Sequence, residues 1–143
     1  MYQSNVNRVS TLLFISTLLL FTASCSKSVR FAVSPVVPSA EGSVKLTKDE
    51  NKNNLVVMKV QNLVDPSKLT PPKKIYVVWA ETKKEGNKNL GKLVSSEAYF
   101  STERNAKFSA ITPFVPVKIF ITAEDQADVQ NPGTVTVLST DNF

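Results

Sequence analysis

An all-β domain, an immunoglobulin-like antiparallel β-sandwich of about seven strands, is the fold class this chain predicts, and three observations carry it. Short apolar runs with period-two alternation recur from residue 41 onward, separated by polar or Pro- and Gly-containing turns. No amphipathic stretch of helical period and useful length competes with them. The chain has no histidine and a single cysteine, so neither an internal disulfide nor a Cys/His zinc site can hold it together, and an apolar core must.

The elements follow in order. Residues 1–24 read as a cleaved leader: Arg8 is the lone charge, Leu12–Phe21 is an apolar run, and the small residues Ala23 and Ser24 lead into Cys25. The run falls short of the ~20 residues a bilayer span needs. Residues 25–40 read as a tether, because Pro35 and Pro38 oppose both a regular helix and a central strand. Extended, residues 26–40 would reach about 50 Å. Val29, Phe31, Val33, Val36 and Val37 are nevertheless apolar enough to pack on the domain or form an edge strand.

The sandwich is expected over residues 41–143. Ser43–Thr47 alternates as a half-buried strand, Lys48–Asn54 is a polar turn, and Leu55–Leu63 is the next strand. Pro66, Pro71 and Pro72 break regular structure across a long connection. Lys74–Thr82 is the strongest strand. Tyr76, Val78 and Ala80 share one face and Ile75, Val77 and Trp79 the other, so both faces are apolar and the strand is central. Lys84–Lys88 is a hairpin turn and Asn89–Leu93 the return. Ala106–Ile111 and Val117–Ala123 follow, the latter with Val117, Ile119 and Ile121 pointing inward, and Thr134–Leu138 closes the domain. Residues 95–104 fit a helical turn or a strand equally well.

Charge and composition exclude several functions. The whole chain carries a net +5; the leader contributes one arginine and no acid, so the rest is one unit less basic, with both signs mixed. That is a solvated surface and not a nucleic-acid patch. The missing histidine removes Ser-His-Asp and Cys-His catalysis and any histidine general base. No cofactor and no metal centre is called for.

Two segments carry resemblances. Leu20-Phe21-Thr22-Ala23-Ser24-Cys25 resembles a bacterial lipoprotein signal, with Ala and Ser in the two positions before the cysteine and Thr22 where Leu is commoner. The resemblance implies a diacylglycerol on Cys25, a new N-terminus there, and a membrane partner held through that lipid. With Ser26 next and no acidic cluster after it, it implies a Gram-negative outer membrane, facing the periplasm. Tyr76–Thr82 with Asn89–Leu93, and Phe120–Glu124 with the acidic loop and Pro132-Gly133, resemble the anti-sigma-K factor C-terminal domain. That resemblance implies an extracytoplasmic sandwich; the family's sigma-binding region and transmembrane helix have no counterpart here, so sigma inhibition is not implied.

Candidate sites are few. Cys25 is the lipidation site. Trp79 is expected as a core residue between the two sheets, or, with Tyr76, as a platform for a carbohydrate or small ligand. Glu124, Asp125, Asp128 and Asn131 form the densest oxygen-rich loop, either a calcium loop or a solvated turn. Glu81 and Glu124 each end a strong strand; at one end of the sandwich they could pair as acid and base in a divergent hydrolase. The leading expectation is non-enzymatic: a lipid-anchored envelope sandwich with a binding or structural role and an envelope protein partner.

Overall fold

The structure, a computed structural model, describes residues 26–96 and 105–143. These residues form β1 (Lys27–Arg30), β2 (Glu41–Lys48), β3 (Asn54–Gln61), a 3₁₀ turn (Pro66–Lys68), β4 (Ile75–Thr82), β5 (Gly86–Ser96), β6 (Asn105–Thr112), β7 (Pro116–Glu124) and β8 (Thr136–Ser139). No α-helix occurs among the described residues. Cys25 and the leader lie outside them, as do residues 97–104.

All neighbours are antiparallel, in the order β1-β2-β3-β6-β5-β4-β7-β8. From β2 to β8 this is an immunoglobulin-type Greek key. β2, β3, β6 and the end of β5 form one layer; the start of β5, with β4, β7 and β8, forms the other. β5 belongs to both. Its first eight residues run along β4, Tyr76 opposite Leu93 and Thr82 opposite Gly86; its last three residues pair with β6, Val94 opposite Lys107. The bend has a local cause. Asn89 pairs with Trp79 and Gly91 with Val78, which leaves Leu90 as the extra residue of a bulge. Gly91 takes a φ of 122° there, a conformation that a side chain would disfavour.

β1 is the strand beyond the expected seven, and it comes from the segment read as a tether. Lys27 to Arg30 pair with Leu46 to Ser43. The chain then crosses to the other layer: Phe31 bridges Thr140, and the Ala32 N–H donates to the Ser139 carbonyl at 2.9 Å. The two outer edges of the folded-over sheet thus meet at this point, which covers backbone groups that would otherwise template aggregation. The Ser34 hydroxyl accepts from the N–H groups of Val36 and Val37 (3.2 and 2.9 Å), and Val37 and Ala40 are buried in the core. Residues 27–40 are part of the domain and not a spacer in front of it.

The main core lies between the layers. β3 alternates cleanly, burying Asn54, Val56, Met58 and Val60. Facing it are Tyr76, Val78 and Ala80 of β4 with Ile119, Ile121 and Ala123 of β7. Each such Val, Ile or Met contributes about 1.5–3 kcal/mol on burial. Val117, expected to point inward, stays half-buried. The long β3–β4 connection is tied down by Leu63 and Leu69, both buried, and by the Tyr76 hydroxyl, which donates to the Val64 carbonyl at 2.9 Å.

Candidate functional site

β4 is apolar on both faces because both are covered. One meets the main core; the other carries Val77 and Trp79, which form a second small cluster with Phe120. In the antiparallel register Trp79 opposes Phe120 and Val77 opposes Thr122, so Phe120, Thr122 and Glu124 share the outer face of β7. The Trp79 and Phe120 rings stack with centroids 6.3 Å apart and 12° between planes. Residues 125–133 fold back over them. Val129 packs on the cluster, and the Asn89 side-chain amide donates to the carbonyls of Ala127 and Val129, both at 2.9 Å.

A chain of hydrogen bonds runs beneath this loop. Trp79 Nε1 donates to Thr122 Oγ1 at 2.8 Å, and Thr122 Oγ1 donates to Glu124 Oε1 at 2.6 Å. The Gly133 N–H donates to the same carboxylate oxygen at 2.6 Å. Trp79 and Thr122 are fully buried and Glu124 nearly so. A buried indole N–H and a buried carboxyl each need partners, and one threonine supplies a partner to both. Gly133 permits the close approach: a Cβ there would stand 2.7 Å from Glu124 Oε2.

This geometry corrects several sequence expectations. Trp79 is a core residue, but beneath a loop on the outer face, not between the sheets. It and Tyr76 are buried and hydrogen-bonded, so neither ring is a platform for a ligand. The calcium loop does not assemble. Glu124 points inward to Thr122 and Gly133, Asp125 pairs with Lys73 at 2.7 Å, and Asp128 and Asn131 are exposed further along. Among the described residues no three His, Cys, Asp or Glu side chains converge. Glu81 and Glu124 cannot act together either. β4 and β7 are antiparallel, Glu81 opposite Lys118 and Glu124 opposite Ile75, which separates them by most of a strand, about 20 Å.

A groove of about 690 Å³ lies at the opposite end of the sandwich from Glu124. Leu46, Phe114, Val115, Val117 and Phe143 supply its apolar surface, and Lys27, Lys48, Lys83, Lys84 and Glu85 its charges. The β6–β7 turn, Pro113–Val115, forms one wall and is held in place. The Asn54 side-chain amide donates to the Phe114 carbonyl at 2.7 Å, and Thr112 Oγ1 accepts from the Phe114 N–H at 3.3 Å. Lys88 Nζ sits 4.5 Å above the Phe114 ring and 3.5 Å from Glu85. The facing turn is fixed by the Thr82 hydroxyl, which donates to the Gly86 carbonyl and accepts from the Glu85 N–H. The strand pattern took in Leu46, Thr47, Thr82 and Val117 of this groove but marked none of its residues as a site. The one available signal was the turn Pro113-Phe114-Val115-Pro116, apolar where turns are usually polar. In comparisons with known proteins the chain matches no family model, no curated protein and no solved structure.

Proposed function

We propose that this chain is a lipid-anchored β-sandwich of the bacterial cell envelope with a binding or structural role and no catalysis of its own. The observation that carries the reading is the spacing between Cys25 and the fold. The only cysteine of the chain ends a leader-like segment, and β1 begins two residues later at Lys27. A lipid on Cys25 holds such a domain directly at the membrane, and three acyl chains make the anchoring effectively permanent. Acylation also removes a free thiol that would be a liability in an oxidising compartment. The separation of Glu81 from Glu124 and the absence of histidine from the whole chain weigh against a hydrolase. With Trp79 and Tyr76 buried, a binding role rests on the groove beside Lys27, not on a carbohydrate platform.

The test is direct. The full chain, expressed with its leader in a Gram-negative host, is expected in the membrane fraction with an N-terminal peptide that begins at acylated Cys25. Cys25→Ser is expected in the soluble fraction or as an unprocessed precursor. A mature chain that starts elsewhere and keeps an unmodified thiol would refute the reading.

A further inference from the structure

We infer that the groove end of the sandwich, bearing Lys27, Lys48, Lys83, Lys84, Phe114 and Val115, is a docking face for the surface of an anionic phospholipid bilayer. This rests on the lipid anchor proposed above and adds to it an orientation and a lipid chemistry.

The first argument is reach. Lys27 lines the groove and pairs with Leu46 of β2 on the same rim. Cys25 stands two residues earlier in the chain, a span of at most about 7 Å. Whatever direction those residues take, a lipid on Cys25 enters the bilayer beside this end, and the opposite end, with the 3₁₀ turn at Pro66–Lys68, faces away.

The second argument is chemistry. Val115 is 65 % exposed at the tip of its turn, and the bond from Asn54 to the Phe114 carbonyl holds that turn in shape. A lone exposed valine needs no explanation. This one stands among four groove lysines opposed by a single groove side-chain carboxylate, Glu85; Glu50 is exposed on the adjoining β2–β3 turn, and Asp49 is occupied by the Asn53 N–H at 2.7 Å. An apolar tip on the wall of a groove lined by lysines matches the boundary of acidic headgroups and acyl chains, where each lysine adds a favourable increment.

The test uses the full chain, made with its leader, purified from membranes and reconstituted into vesicles of phosphatidylcholine with or without phosphatidylglycerol. An environment-sensitive fluorophore is placed on Val115→Cys and, as a control at the far end, on Lys68→Cys. The acylated Cys25 sulfur does not react with it. Flotation of the vesicles reports the anchor; the fluorophore reports the face. Docking predicts a blue shift of the Val115→Cys label in phosphatidylglycerol vesicles, quenching by spin-labelled phospholipid, and neither effect at Lys68→Cys. Adding Lys83→Glu and Lys84→Glu is expected to lower the docked-to-undocked ratio by on the order of 10-fold or more, and high salt to act the same way. A chain that floats while both labels remain equally wet refutes docking and leaves the anchor intact. A Val115→Cys label shielded equally in neutral vesicles and unaffected by the lysine changes also refutes it, and points to a second copy or another protein on the face. A chain that does not float removes the anchor and the docking face together.

Discussion

Replacing Thr122 by valine tests the buried hydrogen-bond chain beneath the 125–133 loop. The change keeps the shape of the side chain and deletes its hydroxyl. Two bonds are lost: the one from Trp79 Nε1 at 2.8 Å and the one to Glu124 Oε1 at 2.6 Å. Glu124 retains the Gly133 N–H, but no other acceptor is bonded to the fully buried indole nitrogen. An orphaned buried donor costs about 1–3 kcal/mol and a lost hydrogen bond to a carboxylate about 1.5–3, so Thr122→Val should destabilise the domain by roughly 2.5–6 kcal/mol. Thr122→Ser keeps the hydroxyl and loses one methyl, a cost of about 1 kcal/mol. Trp79 is the only tryptophan, so its fluorescence reports this cluster during urea unfolding, while far-ultraviolet circular dichroism reports the sheet; coincident transitions validate a two-state treatment. A typical domain has 5–15 kcal/mol to lose, which keeps both variants measurable unless the parent is at the low end. The reasoning fails if Thr122→Val is as stable as Thr122→Ser or more so, because the volume change alone ranks them the other way.

Two further outcomes follow from the same structure. Trp79→Ala removes a fully buried ring stacked on Phe120 and should cost about 3–5 kcal/mol; the parent's emission should be blue-shifted and resistant to iodide, and a readily quenched tryptophan would contradict the burial. A fragment beginning at residue 26 should give a β-type spectrum and unfold cooperatively, whereas one beginning at residue 41 loses β1, Val37, Ala40 and the Ser34 turn and should be strongly destabilised. Equal stability of the two fragments would show that the first segment only decorates the domain.

The alternation of residues along the chain was enough to predict the fold class and the position of nearly every strand. Period-two patterning is local, and a strand such as β3, with Val56, Met58 and Val60 on one face, advertises itself. Cys25 and the run before it are equally local signals, and lie where the sequence alone speaks. What only the tertiary structure decided is which face meets what. The sequence marked β4 as apolar on both sides, but not that a polar loop about fifty residues further along the chain would cover Trp79, because that depends on the β4–β7 register and on the bonds made by Asn89, Thr122 and Glu124. Antiparallel pairing likewise sent Glu81 and Glu124 to opposite ends, a fact invisible to two residues that each merely end a strand. The prolines of residues 31–40 argued correctly against regular structure there, yet irregular backbone still buried Val37 and Ala40, since burial depends on where a chain passes and not on its regularity. The groove was hidden for the same reason: its walls come from both ends of the chain and from turns far apart in sequence, and only folding brings Lys27, Leu46, Lys83, Val115 and Phe143 to one rim.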